Sequence, residues 1–164
     1  MTAAVNRSAS KAIHSMIAAL ALAFVLPTAA GAATTDPEVI IYRFPGVADN
    51  GATNSGIATV FHCTNFSGVQ ESLRIVVRDA DGTIKGNVSQ PINHLQTVTL
   101  ATHLTAIYFE VVVTMGAILQ GSAAIAATSV NVVCTAMTLD ASTFSPVGFP
   151  LHGIRFNPIP SSQE

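Results

Sequence analysis

His62 and Cys63 stand side by side in the stretch VFHCTNFSG, with Asn65 two positions further on. Those side-chain types, brought together, can bind a metal or build a thiol nucleophile. Adjacent residues of a strand point to opposite faces, so neither chemistry is expected if the stretch is extended. Cys63 then shares a face with Ile57 and Phe61, while Cys134, the other of the two cysteines, shares one with Val132 and Ala136. Two cysteines on apolar faces of a secreted chain predict a structural disulfide, Cys63–Cys134. Closing so long a loop is worth about 4 kcal/mol in the chain-entropy description.

The other reactive types are sparse. His94, His103 and His152 join His62 beyond the N-terminal leader, and no two of the four stand at the i, i+2 or i, i+4 spacing that puts two ligands on one strand or helix. No metal and no cofactor are therefore expected, and surface or loop-end histidines are the simpler reading. Asp79, Asp81 and Gly82 in RDADGTI begin like a calcium loop, but TIKGNVSQ follows without the required glutamate. A tight hairpin turn is expected instead, with Gly82 in the left-handed conformation. The chain has no G-x-S-x-G elbow, and no catalytic residue is nominated. Asn65 and Asn87 head N-x-S sequons, which matter in a eukaryotic secretory pathway; the leader has a bacterial look, so they are set aside.

The elements that carry these residues follow a leader. Met1 to Ser15 is basic without an acidic residue, Met16 to Leu26 is apolar, and PTAAGAA supplies small residues at 30 and 32. That plan predicts a signal peptide over 1–32, its apolar run too short for the roughly 20 residues of a bilayer span. Residues 33–164 are expected to form a single domain, secreted or periplasmic, with no membrane span after cleavage and no cysteine placed for a lipid. That part carries five basic and nine acidic residues, a net charge of -4, which offers nucleic acid no electrostatic footprint.

Short runs rich in Val, Ile, Thr and aromatics recur from Val39 onward: 39–44, 57–65, 72–79, 83–89, 95–100, 107–114, 122–129 and 131–139, then a short IRF. Their number and spacing predict an all-β sandwich or barrel. Leu73, Ile75 and Val77 take one face of their strand, and Ser72, Arg74 and Arg78 the other. GSAAIAATS is read as a strand despite the helical preference of alanine, and 142–153 as a Pro- and Gly-punctuated loop.

TNFSGVQESLRIVVRDADGTIKGNVSQPINHLQTVTL resembles the strand, turn and strand core of Ig-like modules in bacterial extracellular proteins. GIATVFHCTNFSG, VNVVCTAM and GIRFNP resemble, across nearly the whole secreted part, an uncharacterised group of small secreted bacterial proteins. The resemblance implies an Ig-like antiparallel β-sandwich of about 7–9 strands with one disulfide, placed like the intersheet bridge of immunoglobulin domains. It carries no activity and no functional residues. The chain has no tryptophan, and Val132 replaces the tyrosine expected two residues before the second cysteine.

The expected function is a non-enzymatic binding or structural module. The first alternative is a subunit of a surface assembly or homo-oligomer, because weakly charged strands such as LQTVTLATH lack the lysines that blunt exposed edges and VIIYRF could add to a neighbour's sheet. The second is a histidine-based metal-binding protein.

Overall fold

Alternation between apolar and polar residues is what turns these runs into sheets with one buried face. The computed structural model describes residues 37–156, so the leader expected over 1–32 lies outside the described residues. No helix occurs among them, and hence none long and apolar enough to cross a membrane.

Among the described residues ten strands form in chain order: β1 (Val39–Asp49), β2 (Ile57–Asn65), β3 (Glu71–Asp79), β4 (Ile84–Ile92), β5 (Thr97–Ala101), β6 (Glu110–Val112), β7 (Ile118–Ala127), β8 (Val132–Asp140), β9 (Gly148–Leu151) and β10 (Ile154–Arg155). Sheet one runs β10, β1, β7, β3, β4, and sheet two runs β6, β5, β2, β8, β9. Every pairing is antiparallel except β5 with β6. The two sheets face one another as a β-sandwich around Ile41, Phe44, Phe61, Leu73, Ile75, Leu100, Ile118 and Ile125. Phe44 of sheet one meets Phe61 of sheet two edge to face, with centroids 5.6 Å apart, a favoured aromatic geometry.

The alanine-rich run lies in β7, the centre of sheet one. Pairing on both sides, with β1 and with β3, outweighs the weak helical preference of its alanines. Ile125 points into the core, and Ala124 and Ala126 point out. The run 107–114 contracts to the three residues of β6, because 102–109 crosses the outer face of sheet two and Tyr108 packs there against a second cluster containing Ala58, Val60, Ala101 and Leu139. The expected loop 142–153 contains β9, an edge strand in which Pro150 is tolerated because no further strand needs its missing N–H.

The disulfide forms between Cys63 and Cys134, but it is not an intersheet bridge. The two residues are direct partners on the neighbouring strands β2 and β8 of sheet two, with Cα atoms 4.1 Å apart. Alternation correctly turned both side chains toward the core. It carries no information on which sheet each strand joins.

The edges also differ from expectation. VIIYRF has β7 on one side and, at Tyr42 and Arg43, β10 on the other, and in LQTVTL the residues Thr97–Leu100 pair with β2 and Thr99 and Leu100 also with β6. The strands offered for self-association are therefore interior.

Candidate functional site

The outer face of sheet two aligns a row of polar side chains. Register places Glu110 of β6 beside Thr99 of β5, Thr99 beside His62 of β2, and His62 beside Thr135 of β8. His62 Nδ1 is hydrogen-bonded to Thr99 Oγ1 at 3.0 Å, and Tyr108 lies edge-on over the imidazole at 4.7 Å between centroids. A Glu110 carboxylate oxygen accepts from the Thr105 backbone N–H, anchoring the crossing segment to β6. Nothing in the isolated runs announced this row, because its members come from four strands.

Burial beneath Tyr108 lowers the His62 pKa by penalising the charged ring. An unfolded histidine titrates near 6.5, so between that value and the lower folded one the unfolded chain holds more protons. Unfolding free energy therefore rises with pH through this window. The contribution is complete above the unfolded value and is lost as pH falls through the folded one. Urea unfolding at a series of pH values should show a shallower acid-side decline in His62→Gln than in the natural chain. Identical declines would assign the slope to another group.

The remaining histidines do not join His62. His94 is exposed in the turn before β5 and accepts from the Gly68 N–H at 3.0 Å, and His152 is exposed between β9 and β10. His103 departs from the surface reading, since it is buried, with Nδ1 at 3.1 Å from Asp49 Oδ2 and Nε2 at 3.0 Å from the Ser55 carbonyl. It ties the segment after β5 to the loop between β1 and β2. Among the described residues, no group of three or more His, Cys, Asp or Glu is arranged to hold a metal ion.

Asp79, Asp81 and Gly82 form the β3–β4 turn. Gly82 has φ of 85° and donates to the Asp79 carbonyl at 3.0 Å, while Ala80 N–H bonds Asp79 Oδ1 and Thr83 N–H bonds Asp81 Oδ1. These backbone donors hold both carboxyls below the ordinary aspartate range. Asp79 also pairs with Lys85 at 3.1 Å. The carboxylates thus serve the turn.

Asn65 has a structural use that its sequon concealed. It is fully buried, its Nδ2 donates to the carbonyls of Val69 (2.7 Å) and Ile92 (2.9 Å), and its Oδ1 accepts from Ser67 N–H.

A concavity lies beside β9. It is about 550 Å³, lined by Gly56, Ile57, Thr138, Leu139, Asp140, Val147 and Phe149. Thr138 and Phe149 are direct partners, and Thr138 is paired with Thr59, two residues from the core residue Phe61. Phe149 thus lies on the core-facing side of sheet two, beyond the cover of β1. That cover ends where Thr59 Oγ1 donates to the Ala48 carbonyl at 2.8 Å and accepts its N–H at 3.0 Å. Phe149 remains 72 % exposed and Val147 76 %.

No family model and no curated protein matches the chain. Among solved structures, the crystal structure of Thermotoga maritima 1070 is similar at a TM-score of 0.45 and 14 % identity, over 70 % of this chain and 93 % of that one.

Proposed function

We infer that this protein is a non-enzymatic binding module that works outside the cytoplasm, secreted or periplasmic, and engages a protein partner through the apolar cleft at β9. The observation that carries this reading is the exposure of Phe149, Val147 and Ile57 around one cleft. Exposed contiguous apolar surface marks interaction sites, and aromatic side chains anchor them. The Cys63–Cys134 disulfide accords with an oxidising compartment.

The edge beside the cleft favours side-chain docking over strand addition. Asp140 N–H bonds the Val147 carbonyl, so by antiparallel alternation Phe149 also turns its backbone groups to β8, and Gly148 and Pro150 turn theirs outward. Pro150 has no N–H to offer a new strand. A partner is therefore expected to insert an apolar side chain beside Phe149.

A photo-crosslinking residue at Val147, introduced in the producing cell, tests this directly. A discrete adduct with a second polypeptide is expected, and Phe149→Ser should lower its yield on the order of tenfold, a common size for loss of an aromatic anchor. An adduct of twice the protein's own mass would instead favour the homo-oligomer. No adduct beyond that obtained from exposed Leu119 would overturn the reading.

A further inference from the structure

On the outer face of sheet one, the register builds a trough that the cleft does not involve. Its floor is Ala124 and Ala126 of the central strand β7. Across Ala124 stand Arg43 of β1 and Val76 of β3, across Ala126 stand Ile40 and Arg74, and Arg78 follows on β3 beside Ser122. The concavity is about 330 Å³. It exists because small side chains occupy the middle strand and long ones its two neighbours.

Three of the five basic residues between 37 and 156 line this trough, in a chain whose acidic residues outnumber its basic ones. Arg74 is 3.6 Å from Glu38, which also accepts from Ser72. Among the described residues, Arg43 and Arg78 have no carboxylate within ion-pair distance. Arg43 is held over the Phe156 ring at 5.5 Å, and Arg78 donates to the Gly82 carbonyl at 2.8 Å. Both guanidiniums are thus steadied by contacts that, among the described residues, supply no carboxylate partner.

We propose that this trough binds an extended acidic polypeptide segment, of the pattern acidic, any, small apolar, any, acidic, lying along β7. Arg74 and Arg78 are four residues apart on one strand, about 13 Å at the rise of an extended chain. A guest strand has the same repeat, so carboxylates at its first and fifth positions fall level with those two arginines. Its third side chain then falls level with Val76 and Arg43, over the alanine methyl groups. Arginine forks suit carboxylates. The floor of Ala124, Ala126, Ile40 and Val76 favours an apolar side chain over a sugar, which would need hydroxyl partners or an aromatic platform. This site is separate from the β9 cleft, and either can fail without the other.

The test uses the secreted chain and two fluorescent peptides built around Glu-Ser-Val-Ser-Glu and Gln-Ser-Val-Ser-Gln, read by anisotropy. The acidic peptide should bind, weaken with added salt as exposed charge pairs do, and lose about tenfold in affinity for Arg74→Ala with Arg78→Ala, the two arginines level with its carboxylates. Ala124→Met, which fills the floor, should reduce binding while leaving every arginine in place. Equal binding of the glutamine peptide, no loss in either variant, or stronger competition by a polyuronate at equal carboxylate concentration would overturn the proposal. Unfolding midpoints of the variants, expected to be unchanged at these surface positions, separate loss of binding from loss of fold.

Discussion

Replacing Cys63 and Cys134 together by alanine should lower the unfolding free energy by about 4 kcal/mol, the largest single effect expected in this domain. The bridge spans a sequence separation of 71 residues, so its absence releases most of the domain's chain to a larger unfolded ensemble. It joins β2 to β8, whose nine-residue ladder is the longest in sheet two. Forming that ladder without a cross-link means closing the loop from the free chain, at a cost that grows slowly with length. Alanine is the right replacement because both positions face the core and serine would bury unpaired hydroxyls. Small domains are stable by roughly 5–15 kcal/mol in all, so a loss of this size moves the urea midpoint far. The denaturant slope should steepen as well, since an uncross-linked unfolded chain exposes more surface. An unchanged midpoint would show that the unfolded chain keeps these strands together without the bond.

What could be read in advance divides along a physical line. Faces were readable, because a period of two is local: Leu73, Ile75 and Val77 are buried, Cys63 and Cys134 point inward, and the turn at Gly82 follows from two strands meeting at a glycine. Neighbours were not readable, because pairing is decided by the whole topology. The insertion of β7 between β1 and β3 creates the arginine trough, and the crossing of 102–109 puts Tyr108 over His62. The same limit explains the misplaced disulfide and the misjudged edges. An inward cysteine fits a bridge within a sheet as well as one between sheets. Whether VIIYRF is an edge depends on β10, a two-residue strand near the opposite end of the domain. His103 reads as a surface group in the sequence because its partners, Asp49 and Ser55, are some fifty positions away and arrive by folding.

Asn65→Ala should cost about 3 kcal/mol, and Asn87→Ala within about 0.5 kcal/mol of nothing, although both asparagines head sequons of the same N-x-S form. Both donors and the oxygen of the Asn65 carboxamide are engaged: it donates to the carbonyls of Val69 and Ile92 and accepts from Ser67 N–H. Its backbone is engaged too, since Asn65 N–H bonds the Gln96 carbonyl and its own carbonyl accepts from Leu95 N–H. One residue thereby joins the end of β2, the loop into β3, the end of β4 and the turn into β5. Removing the carboxamide leaves the Ile92 carbonyl buried without that donor and frees the 66–70 loop from Val69 and Ser67. A buried group left unpaired costs about 1–3 kcal/mol, and partial access of water to the exposed Val69 and half-buried Ser67 holds the total near the figure given. Asn87 is exposed and accepts one bond from Arg74 Nε, which water can replace. Urea unfolding of both variants provides the comparison, and hydrogen exchange provides a second reading. Amides of 66–70 and of the Asn93–Gln96 turn should lose protection in Asn65→Ala, while those at the centre of β3 and β7 open only with the whole domain. Equal losses for the two variants would mean that the Asn65 bonds are made as well by water, and that the four segments are held by their ladders alone.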